Sequence, residues 1–208
     1  MPLDAAKKKP GTHRYVAQDF IVPKFMQATQ QVSPTAVGTA THLVLQKLDL
    51  HTPPTVASID QLIQKLVTQN ILTAAVAEHI NQAHILKFFD SQLGQQLLMQ
   101  PDQVVREAPF SLLLPAKQLF TCFAADDPAQ ILIHGIMDGY LVTSDQVILF
   151  DYKTDYVPQQ HPEAKREKLR QRYAGQVNIY AAALSQILGR PVTHKYLYLL
   201  ASGDLLAV

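Results

Sequence analysis

The feature that most constrains this chain is a pair of apolar runs, ILIHGIMDGYLV (131–142) and QVILFDYKT (146–154), separated by the residues TSD. Branched and aromatic residues at this density, bounded by a short polar turn, predict two antiparallel strands in a hairpin. Each run carries an acid where a buried strand favours an apolar side chain: Asp138 in IMDG and Asp151 in FDYKTD. Side chains alternate along a strand, so Asp151 and Lys153 share a face, and the hairpin brings Asp138 alongside them. Two carboxylates and an ammonium are expected to converge.

The surroundings predict the rest of an α/β fold. Val37, Ala40, Val44 and Leu48 recur at helical spacing, which predicts a helix over about 35–49 that ends before Pro53 and Pro54. Two further helices are expected over about 58–70 and 73–92. The second carries Ile71, Val76, Ile80, Ile85 and Phe88 near one face and is punctuated by Gly94. VVREAPFSLLL (104–114) reads as a strand whose Pro109 suits an edge or a bulge. TCFAADDPAQ reads as a loop. Residues 162–188 read as a long amphipathic helix with Pro162 in its first turn, stopped by Gly189 and Pro191, and THKYLYLLA as a last strand. This order predicts one mixed sheet flanked by helices, with a helical insert after the first core helix. The expected domain plan is a polar, flexible lead-in over 1–20 and one domain over 21–208. Its helical part runs over about 35–100, and its sheet and long helix over about 104–208.

Composition narrows the function classes. A net charge of +1 gives no chain-wide attraction to polyanions, so any nucleic-acid surface must be local. The single cysteine, Cys122, read as inert packing near a loop, rules out an internal disulfide, a cysteine-based zinc site and an iron–sulfur cluster within the chain. A reducing, cytoplasmic setting follows. No apolar run approaches the roughly 20 residues that span a bilayer. The three lysines near the start have no apolar segment behind them, unlike a signal peptide. No GxxxxGK[ST] loop occurs, so the chain is not itself a P-loop ATP motor.

The Asp138, Asp151 and Lys153 trio suits phosphodiester hydrolysis. Mg²⁺, with Mn²⁺ as a substitute, takes oxygen ligands at roughly 2.1 Å and often uses one or two carboxylates, leaving room for water and phosphate. A lysine beside the ion can offset charge on the transferring phosphate. An isolated DxK is more often a solvated ion pair, but apolar flanks and Asp138 make an unused charge cluster costly here. His42, with Gly38 a turn earlier allowing a close backbone approach, is either a metal ligand or a packed helix-edge histidine. Glu107 is either an accessory carboxylate or part of a salt bridge with Arg106 or a neighbour. Arg172, Gln176 and Tyr180 form an i, i+4, i+8 stripe at the border between core and cleft, beside a core face of Leu169, Tyr173, Val177, Leu184 and Leu188. The basic stretch of Lys165, Arg166, Lys168, Arg170 and Arg172 is either a DNA-backbone contact, carried by Arg166, Arg170 and Arg172, or a solvated face. His134 lies at even spacing from Asp138 and is a weaker candidate for the same cleft.

Taken in order, GTATH, REAPF, GIMDG, FDYKTD and QVNIY resemble the motif series of the RecB-type branch of the PD-(D/E)xK nucleases. Within that branch they resemble the C-terminal nuclease domains of AddA helicase–nuclease subunits, from about Pro23 onward. The resemblance implies a restriction-endonuclease-like core and Mg²⁺ held by His42, Asp138, Asp151 and the main-chain carbonyl of Tyr152. It further implies Lys153 as the catalytic lysine, and Gln176 with Tyr180 as the QxxxY element. An IMD stands in place of the literal PD. It also implies preceding helicase domains that use ATP, an AddB-type partner, single-stranded DNA delivered by the helicase, and work in double-strand break repair and recombination. A module of this fold that binds DNA or a partner without cutting would be expected to have lost the Asp/Asp/Lys set, which is intact here.

Overall fold

The computed structural model describes residues 32–119, 122–124 and 126–208; the expected lead-in lies outside them. Ser33 caps the first helix, α1 (Pro34–Lys47), by accepting from the Ala36 amide, and Pro34 occupies its first turn. In α2 (Val56–Thr68) Thr55 and Ser58 form a reciprocal capping box, which starts the helix two residues before the periodicity alone suggests.

The helix expected over 73–92 is instead three: α3 (Ala74–Ala77), α4 (Gln82–Asp90) and α5 (Gln92–Met99). Asn81 and Ser91 interrupt it, because each side chain accepts from a backbone amide three residues on and so starts a new helix. Gly94 therefore lies inside α5. A Cβ there would stand 2.2 Å from the Phe88 carbonyl oxygen, so this glycine permits the close approach of α4 and α5. Ile71 lies outside the apolar face assigned to it, 53% exposed in the turn after α2.

After a 3₁₀ turn at Pro101–Gln103, the sheet comprises β1 (Val104–Pro115), β2 (Gln130–Val142), β3 (Val147–Lys153), β4 (His194–Leu199) and β5 (Asp204–Ala207), in that spatial order. A short helix, α6 (Ala116–Leu119), leads into the expected loop between β1 and β2, and α7 (Pro162–Leu188) is the crossover between the parallel strands β3 and β4. The edge position of β1 accommodates Pro109. The run expected as the last strand holds β4, but it is not the last, because Ser202 and Gly203 (φ 78°) turn the chain back to form β5 beyond it. Cys122 is exposed, not packed. Among the described residues no helix is long and apolar enough to cross a membrane.

Two apolar layers sandwich the sheet. Helices α1 to α5 cover Leu141, Ile148, Phe150, Tyr152 and Tyr198, while α7 covers Val147, Leu149, Leu197, Leu199 and the far half of the β1–β2 pair. That pair turns over along its length. Arg106 reaches the helical layer, donating to the Leu45 and Leu48 carbonyls, yet Ala108 and Phe110 join the α7 layer. Leu141 belongs to the helical layer and Met137 to the α7 layer. Residues an even number apart on a regular strand share a face, so both strands roll between these positions. Glu107, in a left-handed conformation (φ 54°), and Asp138 occupy the roll, and the β1–β2 register skips them.

Candidate active site

The β2–β3 ladder ends at the pair Gly139 and Phe150, one step short of Asp138 and Asp151. Beyond it β2 leaves β3, and the amide that would have continued the ladder, that of Tyr152, donates to Asp138 Oδ2 at 2.7 Å. Asp138 is thereby pinned to the backbone between Asp151 and Lys153. On its other side His42 Nδ1, from α1, stands 3.5 Å from Asp138 Oδ2. Burial opposes protonation of His42, but its hydrogen bond to Asp138 and the charges of both aspartates outweigh this and raise its pKa. Edge-to-face packing on Tyr152 holds the imidazole in place.

Asp151 is 3% exposed and faces α7. Burial, followed by the neighbouring charge of Asp138, pushes its carboxyl up to about 6 against the opposing pull of Lys153. Lys153 Nζ forms an ion pair with Asp151 Oδ2, although no donor among the described residues reaches that buried oxygen with hydrogen-bond geometry. The ammonium also donates to Gln176 Oε1 at 3.0 Å, and Gln176 Nε2 donates to the Tyr180 hydroxyl at 2.8 Å. Tyr180 packs edge-to-face on Phe110. The helical stripe of α7 thus reaches the strand lysine through a chain of oriented side chains.

Glu107 lies directly across from Asp138 in the continued β1–β2 register and lines a tight cleft with His42, Gln46, Arg106, Asp138 and Tyr152. Burial, then Asp138, raises its pKa. The salt bridge to Arg106 does not form, because that guanidinium caps the end of α1. Gly38 admits a side chain rather than another backbone: a Cβ there would stand 3.1 Å from Thr154 Cγ2. A larger cavity of ≈ 360 Å³ opens beside the site, lined by Val37, Gly38, Thr41, His84 and Thr154 among others, but not by the acids.

His134 points elsewhere. It lies on the exposed side of the β1–β2 ribbon and pairs with Ser111 at 2.8 Å, because the roll at Asp138 breaks the even-spacing argument. Arg166 is engaged by Glu163 and Asp204, and Arg170 by Glu167 and the Ala207 carbonyl. Arg172 pairs with Asp155 but stays 64% exposed. Sequence reasoning left Asp155 and Tyr173 without a site role, although both contact this cluster. No three His, Cys, Asp or Glu side chains among the described residues surround a single point at metal-binding distance. The acids are instead paired with His42 and Lys153.

A mixed sheet flanked by helices, with an acid and an acid–lysine pair at a strand divergence, defines a nuclease-type core. The chain belongs to the PD-(D/E)XK nuclease superfamily, whose sequence pattern matches residues 10–204. At the level of particular proteins it is similar to the A subunit of the ATP-dependent helicase/nuclease of Levilactobacillus brevis, at 52% identity over 95% of this chain. It is also similar to those of Pediococcus pentosaceus (46% over 99%) and Enterococcus faecalis (39% over 92%). The matched region covers 16%, 16% and 15% of these three relatives, so the chain spans about a sixth of their length. A solved structure, the crystal structure of SSO0001, superposes loosely, with a TM-score of 0.34 at 13% identity over 84% of this chain and 74% of its own.

Proposed function

We propose that this chain is the nuclease module of a larger helicase–nuclease polypeptide, and that it is a Mg²⁺-dependent deoxyribonuclease that degrades DNA as an exonuclease during double-strand break repair and recombination. The observation that carries the reading is the buried Asp151–Lys153 pair one register step beyond the β2–β3 ladder, with Asp138 fixed to the amide between them.

The donor set fits a divalent cation. Burial and then the neighbouring charge of Asp138 raise the Asp151 carboxyl, and a buried carboxylate oxygen lacks a well-directed hydrogen bond. A cation would relieve both. Asp138, Asp151, the carbonyl of Tyr152 and a neutral His42 would hold it, and Glu107 lines the same cleft as His42 and Asp138. When bound, the ion supplies positive charge to the phosphate and lowers the pKa of its own water. Lys153 is the chain's own cation at the phosphate, aimed by Gln176 and, through Gln176, by Tyr180. Arg172, exposed beside the same strand end, suits a contact with the DNA backbone. The relatives are subunits by name, which favours a single strand delivered by helicase domains of the parent polypeptide and a partner of the AddB type.

The test is incubation with linear single- and double-stranded DNA, with Mg²⁺ or EDTA, beside Asp151→Ala and Lys153→Ala. We expect metal-dependent degradation that falls by at least ~10²-fold in both variants. Undiminished cutting by Asp151→Ala contradicts the site. A wild type that retains DNA but never cuts it points instead to a binding module.

A further inference from the structure

We infer that Tyr173, anchored by Asp155, is a positioning residue for Lys153; the inference rests on the nuclease reading above. The Lys153 ammonium is met on three sides: by Asp151, by Gln176 Oε1, and by the ring of Tyr173, whose centroid lies 4.5 Å from Nζ. Tyr173 occupies α7 one turn before Gln176, so the two side chains approach the lysine from adjacent turns of one rigid element. Its hydroxyl donates to Asp155 Oδ2 at 2.6 Å. Asp155 stands two residues after Lys153, and its other oxygen accepts from Arg172 at 3.2 Å. The chain that carries the lysine therefore also carries the anchor that fixes the ring against it.

The chemistry explains why a ring is suited to this place. Lysine is a flexible point charge that gives up much rotamer freedom when held in one geometry. Its carboxylate partner, Asp151, is assigned to the cation, and a lysine held by that carboxylate alone would be released whenever the acid turned to the metal. A π-face attracts the ammonium without competing for the cation, and it leaves N–H donors available to a phosphate oxygen. Gln176 supplies direction and Tyr173 supplies a wall. Burial and then Asp155 push the phenol well above its usual pKa, so its hydroxyl stays a donor to Asp155 throughout the working range.

The experiment combines proton NMR of the lysine Hε resonances with steady-state DNA cleavage, comparing wild type, Tyr173→Phe, Tyr173→Leu and Asp155→Asn. The Lys153 signal is assigned by its loss in Lys153→Arg, and thermal melting monitors the fold. We expect the Hε protons of Lys153 to be shifted upfield by the ring in wild type and Tyr173→Phe, and to return to the ordinary position in Tyr173→Leu. Cleavage by Tyr173→Leu should fall roughly tenfold in kcat with KM nearly constant, with Tyr173→Phe and Asp155→Asn in between. An unshifted Lys153 signal in wild type overturns the contact whatever the activity. Wild-type kcat in Tyr173→Leu, beside an inactive Lys153→Ala, overturns the role. A wild type that shows the ring shift but cuts no DNA leaves the contact standing and refutes the nuclease reading instead.

Discussion

Strand β3 is buried on both faces, but it uses them differently. Toward the helical layer it presents Ile148, Phe150 and Tyr152, which join Phe88 and Tyr198 in one apolar cluster where Phe88 meets both tyrosine rings edge-to-face. Toward α7 it presents Val147 and Leu149, then Asp151 and Lys153. The change from apolar to charged falls where β2 departs and the ladder ends. At that point α7 stops contributing aliphatic side chains alone and offers Tyr173, Gln176 and Tyr180. One face stores stability, whereas the other buries an acid beside a second acid, a cost that the proposed nuclease site would explain.

Reciprocal substitutions separate the two faces. Phe88→Ala empties a fully buried aromatic site and should cost about 3–5 kcal/mol in denaturant unfolding, while the fraction that remains folded cuts DNA at the wild-type rate. Lys153→Ala should show the converse, losing cleavage while its melting point stays near that of wild type, because Asp151 can neutralise itself by taking up a proton. A variant that lost both properties in either case would erase the distinction between the faces.

Gly139 tests the seam between them. A Cβ there would meet Phe150 Cζ at 2.3 Å and the Val105 carbonyl at 3.0 Å. Gly139→Ala should therefore destabilise the fold by about 1–3 kcal/mol and also weaken cleavage, since Asp138 is the next residue. Loss of cleavage with an unchanged melting point would show that the ring yields freely and that only the acid moves.

The smallest expected effect is one of pH. The Asp151 carboxyl holds its proton more tightly in the fold, with a pKa of about 6, than in the unfolded chain, at 3.8. The metal-free fold should thus gain stability from this group as pH falls from about 6 towards 4, and lose it as pH rises through about 6. On the proposed reading cleavage uses the carboxylate, so it should move in the opposite direction over the same window. The difference between wild type and Asp151→Asn in metal-free melting isolates the contribution; a flat difference across that window would contradict it.

Much of this arrangement was legible in the sequence, for identifiable reasons. Period-two alternation placed Asp151 and Lys153 on one face, and the short turn fixed the hairpin. The boundaries of α7 followed from Pro162 and Gly189, the latter ending the helix in a left-handed conformation. Periodicity failed where local hydrogen bonding outweighs it. Asn81 and Ser91 cut one apolar stripe into separate helices, and Gly203 turned an apparent tail into β5. It failed again at the roll through Glu107 and Asp138, which moves His134 out of the cleft. No one-dimensional pattern marks a left-handed residue in mid-strand. The DYKTD run did contain the signal for Asp155, spaced like Asp151 and Lys153, but its partner Tyr173 became visible only once α7 was packed on the sheet.

Titration of the metal-free protein with Mn²⁺, followed by electron paramagnetic resonance, tests the central claim most directly, because it measures capture of the ion without requiring cleavage. Wild type should take up Mn²⁺, and Asp138→Ala and Asp151→Ala should each weaken uptake by at least ~10-fold while remaining folded. Uptake by Asp151→Ala equal to that of wild type would contradict the account.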